Sequence, residues 1–289
     1  MSQYKIAVLM IVLAGICLST LGIGTRLLES TSGLEVVFYR SIGAAMAMWL
    51  YLFIKHGNNT LLHCCLIGKP GIYATLCLCG TSIFIVLALS YTTVANAMFT
   101  IALAPLTAGL FAWLIIGERV SKTTLIASLI ALVGVFVIVR GAINTSGLLG
   151  IFFAALMLVC YSLYTVCLRV AKEVDMLPCI ALHTLVLIVG LGLVLKDLSI
   201  PSSDLLVCLS LGVFQLALGI TLFSLGAKHV PAAQVTLLAM LEIVLSPIWV
   251  WLGIGETPSS AALLGGTIIV IAVSYQALVA PPPQELHSD

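Results

Sequence analysis

Charge is what this chain has least of: 12 basic and 11 acidic residues in 289, or 8% of the total. A soluble domain devotes about a quarter of its residues to charge, so a water-exposed shell cannot be built from this sequence. With a net charge of +1 there is no field to attract nucleic acid, and no nucleic-acid partner is expected. Reactive motifs are missing as well. No GxxxxGK[ST] loop occurs, which excludes the common route to nucleotide hydrolysis. No GxSxG turn, HExxH pair or paired acidic motif occurs either, so an intramembrane enzyme is not expected. The nine cysteines, at 17, 64, 65, 77, 79, 160, 167, 179 and 208, form no CxxC pair and fall almost entirely inside apolar runs. There they act as small hydrophobes. His56, His63, His229 and His287 offer no pair at metal-ligand spacing, and neither a metal nor a cofactor is expected. The first apolar run is about as long as a full span and lacks a cleavage site, so a removable signal is not expected.

What fills the sequence instead is hydrocarbon: 62% of residues are hydrophobic and the mean hydropathy is +1.24. Ten apolar runs follow one another, at 6–28, 34–54, 71–90, 95–116, 123–139, 147–168, 177–195, 205–225, 235–254 and 259–280. A spanning helix needs about 20 such residues. Lipid cannot satisfy open backbone groups, so each run has to close its own hydrogen bonds as helix. The runs are apolar all round rather than alternating, which excludes a strand barrel. The expected fold is an all-α polytopic membrane protein with the bilayer as its partner. Starting in the cytoplasm puts Lys5, Lys55, Lys69, Arg119, Lys122, Arg169, Lys172 and Lys228 inside, against Arg26, Arg140 and Lys196 outside. Both termini are then expected to be cytoplasmic, in a cytoplasmic (inner) membrane.

The chain also repeats itself. Ile115-Ile116-Gly117-Glu118 and Gly253-Ile254-Gly255-Glu256 close the fourth and ninth runs at an offset of 138 residues. That offset also matches Trp113 with Trp251, Ser121 with Ser259 and Ala95 with Ala233. An offset of 143 matches Arg26 with Arg169, Ser19 with Ser162 and Arg40 with His183. The expected units are 1–140 and 141–280, followed by a short tail at 281–289 that opens on Pro281-Pro282-Pro283. Five helices per unit is odd, so the second unit enters the membrane from the opposite side. Such inverted repeats recur in transporters, where two related halves exchange conformations around a midplane site.

With Phe38-Tyr39-Arg40 in the second run, Leu114 to Arg119 closing the fourth, and Leu241-Glu242 followed by Pro247 to Glu256 in the ninth, the chain resembles the EamA-like branch of the drug/metabolite transporter superfamily. The resemblance covers nearly the whole chain. It implies ten helices in two inverted halves around a central cavity, with the fifth and tenth more peripheral. It also implies a secondary transporter for a small polar organic metabolite, amino acids or related compounds being the leading class. Vitamin-like, nucleotide-linked and cationic drug-like solutes are the alternatives. A proton or another coupling ion is a candidate partner, and a homodimer stays open.

Glu242 lies near the hydrocarbon midplane, where a charge faces a cavity or a partner; proton exchange, cation recognition, a structural ion pair and a protonated, hydrogen-bonded acid are the readings. Arg40 suits either a substrate carboxylate or a packing bridge. His183 suits a proton acceptor or, preferably, a hydrogen bond across helices. Gln215, Asn96 and Thr100 should point inward, as helix glue or as path lining. Ser19, Ser162 and Tyr164 belong with them. Gly212, Gly219 and Gly226, seven apart, should share one helical face. Trp113 and Trp251 read as interfacial, with Trp249 ambiguous. Pro105 and Pro247 should interrupt their helices at positions that do not coincide between halves. The Gly-Glu tags read as helix C-caps whose glutamates find a contact elsewhere, such as Arg119 or a neighbouring helix start.

Overall fold

The computed structural model describes residues 3–29, 31–140, 147–195, 198–255 and 257–279. Glu256, Lys196 and the tail at 281–289, all singled out in the sequence, lie outside the described residues. Ten helical spans are long and apolar enough to cross a membrane. The first half contains α1 (Gln3–Arg26), α2 (Gly33–His56) with a short α3 (Thr60–Cys65), α4 (Gly68–Tyr91), a fourth span made of α5 (Val94–Ile101) and α6 (Ala104–Ile116), and α7 (Lys122–Val139). The second contains α8 (Leu148–Val170), α9 (Leu177–Val194) and an eighth span of α10 (Ser202–Ser210), a π-helical stretch (Leu211–Leu218) and α11 (Gly219–Ala227). It ends with a ninth span of α12 (Ala232–Ala239) and α13 (Leu241–Ile254), then α14 (Ser260–Val279).

The duplicated tag is a duplicated turn. Gly117 and Gly255 end their helices in the left-handed region, at φ 70° and 82°. Glycine has no Cβ to oppose that conformation. A few residues on, the Ser121 and Ser259 hydroxyls accept from the backbone N–H of Thr124 and Ala262, each at 3.1 Å, and start the next helix.

Packing repeats under exchange of the halves. The third span lies on the sixth (α4 on α8) as the first lies on the eighth (α1 on α11). The first meets the ninth (α1 on α13) as the sixth meets the fourth (α8 on α6). The second pairs with the seventh, and the fifth with the tenth, where Gly134 and Gly265 bring α7 and α14 backbone to backbone. The halves are therefore two inverted five-helix repeats, and Leu, Ile and Val side chains exposed along the outer faces are what lipid requires.

Two expectations are corrected. The fourth and ninth spans are broken at equivalent places: Leu103 N–H bonds Thr100 C=O and Leu106 N–H bonds Leu103 C=O, as Met240 N–H bonds Leu237 C=O and Ile243 N–H bonds Met240 C=O. These tight turns fall within one residue of the 138-residue offset. Proline does not set them jointly. Pro105 sits in the first turn of α6, where a missing N–H costs nothing, whereas Pro247 lies inside α13, which continues through it. The glycine stripe also divides. The π-helical stretch turns the chain less per residue than an α-helix, so Gly212 faces the α2 backbone while Gly219 and Gly226 face Leu18 and Ile11 of α1.

A Cβ at Gly212 would strike the Arg40 carbonyl oxygen, and backbone cannot move aside as a side chain can. Gly212→Val is expected to cost about 1–3 kcal/mol, read as a lower unfolding temperature in detergent. Gly190→Ala, which points into open space, should leave that temperature unchanged.

Candidate functional site

The two broken spans cross at the centre, and their halves are packed unequally. Every residue of α12 is buried, whereas none of α13 is. α12 packs on α6, with Ala108, Ala112, Val166 and Ala232 forming a closed cluster. No comparable packing joins α5 to α13 among the described residues. The molecule is thus sealed at the end that carries Glu118 and open between α5 and α13 at the other.

The seal is polar as well as apolar. Glu118 Oε2 accepts from Arg169 Nε at 2.8 Å, and Glu118 Oε1 accepts from the Ala232 N–H at 2.9 Å. Arg169 Nη1 also donates to the Lys228 carbonyl at 2.7 Å. One carboxylate therefore ties the end of the fourth span to the start of the ninth and, through Arg169, to the end of the sixth. An anion at a helix N-terminus is favoured by the dipole, which answers why a glutamate follows the C-cap. Arg119, the other contact expected for it, takes no part. A second tie lies nearby, where Lys55 Nζ bonds Asp175 Oδ2 at 2.6 Å. Burial opposes the Asp175 charge, but Lys55 and the Leu177 N–H outweigh it and hold the carboxyl below its ordinary pKa. This tie contributes stability above about pH 4 and loses it as pH falls through the lowered value. Both side chains are partly exposed, so Asp175→Asn should cost about 0.2–1 kcal/mol at pH 7, and thermal melts of variant and parent should converge as pH falls through the lowered value.

At the break in the ninth span, Glu242 occupies the first turn of α13. The backbone N–H groups there favour negative charge. Glu242 bonds no group among the described residues, is partly exposed, and has Tyr161 close enough to feel its charge. Gly15 of α1 packs against the break, where an added Cβ would sit in ordinary contact, 3.6 Å from Leu241 Cβ and 3.9 Å from the Glu242 nitrogen. One turn further along α1, the Ser19 hydroxyl accepts from Trp249 Nε1 at 2.8 Å. Its repeat mate Ser162 bonds the Thr107 hydroxyl at 2.7 Å. Each half thus fastens a serine to the broken span of the other. Trp249 is an inward residue, while Trp113 and Trp251 are exposed on the outer surface at 53% and 47%.

Arg40 does not pair with Glu242. Buried between α2, α9 and the π-helical stretch, it donates from Nη1 to Gln215 Oε1 at 3.2 Å, and its Nε has no partner among the described residues. His183, fully buried beside it, lies 3.4 Å from the Ser82 hydroxyl and 3.2 Å from the Ile180 carbonyl. Arg40, Gln215 and His183 therefore form one group and Glu242 with Tyr161 another. Asn96 and Thr100 join neither: Asn96 bonds Thr92 and Thr93 at the start of α5, and the Thr100 hydroxyl bonds the Asn96 carbonyl. Tyr164 bonds Ser224 at 2.6 Å, joining α8 to α11. Tyr161, Thr107 and the Arg169 tie escaped the sequence reading, although the Ser19 and Ser162 match pointed to the place.

Inverted halves with broken helices at the centre recur among transporters. The model of the EamA-like transporter family matches this chain twice, over residues 5–140 and 148–275, and the chain belongs to that family. It is 26% identical over 190 residues to a protein of Clostridium kluyveri described as an uncharacterized transporter. That alignment spans 61% of this chain and 58% of the relative's length. A crystal structure sharing 22% identity superposes over 95% of this chain and 97% of its own, with a TM-score of 0.79, and shows the same fold. The protein is an integral membrane protein of that family.

Proposed function

We propose that this protein is a secondary carrier that moves a small polar organic metabolite across the cytoplasmic membrane by alternating access, with both termini in the cytoplasm. Amino acids and related compounds are the leading substrate class. The observation that carries this reading is the inequality of the broken spans, sealed at α6 and α12 and open at α5 and α13 around Glu242, which has no bonding partner among the described residues. Inverted halves supply the second state, in which the packing of each half is exchanged.

Glu242 gives the gap its chemistry. A carboxylate at this depth, without a cation, favours a solute that brings an ammonium group, or a proton when the solute leaves. That preference admits amino acids and cationic drug-like solutes alike. Arg40, whose one described hydrogen bond goes to the neutral Gln215, suits a solute carboxylate at the neighbouring group. An amino acid carries both groups and a simple cationic drug only one. The test is a competition screen on purified protein, reading the unfolding temperature with amino acids, vitamins, nucleotides and quaternary amines, followed by flux into sealed proteoliposomes. Stabilisation and flux by amino acids are expected. Stabilisation by quaternary amines alone would replace the class, and turnover of a solute in detergent would replace the carrier reading.

A further inference from the structure

On the outer face of the sealed end, α6 and α7 diverge around a recess of about 320 Å³. Its walls are Leu106, Leu110, Val120 and Leu125, and its floor is Gly109, where an added Cβ would collide with Val120. Trp113 and Arg119 stand at its mouth. Leu110 and Leu125 are 50% and 45% exposed, so the recess opens sideways to hydrocarbon rather than into the central gap.

The charges at the mouth are unbalanced. Arg119 and Lys122 are both exposed and bond no acid among the described residues. The nearest carboxylate, Glu118, is already held by Arg169 and the Ala232 N–H. Arg119 lines the apolar slot, and Lys122 opens α7 three residues before the lining residue Leu125, at the depth where Trp113 marks the interface. Such basic pockets between spans fit anionic lipid head groups, and tryptophan prefers that level. A zwitterionic lipid would fill the slot but leave the cations uncompensated.

The geometry points to a binding site for an anionic phospholipid, with an acyl chain between α6 and α7 and the phosphate against Arg119 and Lys122. The site is independent of the transport path. It borders the seal, because the position an added Cβ would take at Gly109 lies 3.2 Å from the Ala233 Cβ of α12 as well as against Val120. Lipid in the slot presses α6 onto α12 and favours the sealed end.

The full chain, delipidated in detergent, is titrated with phosphatidylglycerol and with phosphatidylcholine of the same acyl chains. Retained lipid is counted by native mass spectrometry, and unfolding temperature is read in parallel. Phosphatidylglycerol is expected to bind preferentially and to raise the unfolding temperature more. The double variant Arg119→Gln/Lys122→Gln should weaken its binding about thirtyfold and erase the preference. Lys69→Gln, at the start of α4 on the same face, should leave the preference intact. Leu110→Gln should weaken both lipids. Equal binding of the two lipids to the parent chain, or a preference that survives the double variant, would overturn the proposal.

Discussion

Glu242→Gln is expected to abolish accumulation driven by a pH gradient while counterflow exchange of the same solute continues. The carboxylate sits at the start of α13, partly exposed, with no bonding partner among the described residues. If proton and substrate ammonium compete for it, release of one is the condition for binding the other, and a gradient in either drives the other uphill. Glutamine keeps the shape and a carbonyl acceptor but can neither ionise nor release a proton. Substrate affinity should fall by at least tenfold and lose its dependence on pH, because an uncharged amide gains nothing from ammonium. Proteoliposomes loaded at one pH and diluted into another separate the two activities. Unchanged accumulation by the variant would remove the coupling role while leaving a carrier in place, since exchange needs no ionisable group.

Loss of Arg169 should have the largest effect on conformation. Its guanidinium serves Glu118 and the Lys228 carbonyl at once, and both side chains of the ion pair are only about a tenth exposed, at 10% and 12%. Arg169→Ala leaves a nearly buried carboxylate without its cation and the Lys228 carbonyl without its donor, a change that costs about 3 kcal/mol. The seal between α6 and α12 should loosen. In a background without native cysteines, a cysteine placed at Thr236, now 1% exposed, should react at least tenfold faster with a thiol reagent. Arg169→Lys is not expected to restore the parent rate, because an ammonium lacks the planar fork that reaches both acceptors. Exchanging the two charges should fail as well. An arginine at 118 would place a cation at the N-terminus of α12, where Glu118 now accepts from Ala232. If labelling stays at the parent rate in Arg169→Ala, the apolar cluster alone seals that end.

The spans were legible because membrane depth and helix rise leave little choice of length. The turn after each broken span was legible because glycine at C′ and serine at the next N-cap each have one physical use. Contacts across the halves were not. The sequence marked Ser19 and Ser162 as counterparts but gave no sign that Trp249 and Thr107 would meet them, since the partners are not themselves repeat mates. Proline misled in the same way. Pro247 looks like a break and is carried inside α13, while Met240, an ordinary helix former, sits where the chain turns. Local propensity cannot report that α1 packs against the chain there. The π-helical stretch was hidden for a related reason: an even seven-residue spacing of glycine implies one face only when the helix keeps its period.

The halves themselves can be watched. Spin labels on Val94 and Leu252 report the open end, between α5 and α13, and labels on Ile115 and His229 report the sealed end. Distances measured by double electron–electron resonance in nanodiscs should change in opposite directions when a transported solute is added, the first pair closing as the second opens. Both pairs holding their distances, or both moving the same way across every solute that is carried, would contradict alternation between two inverted halves.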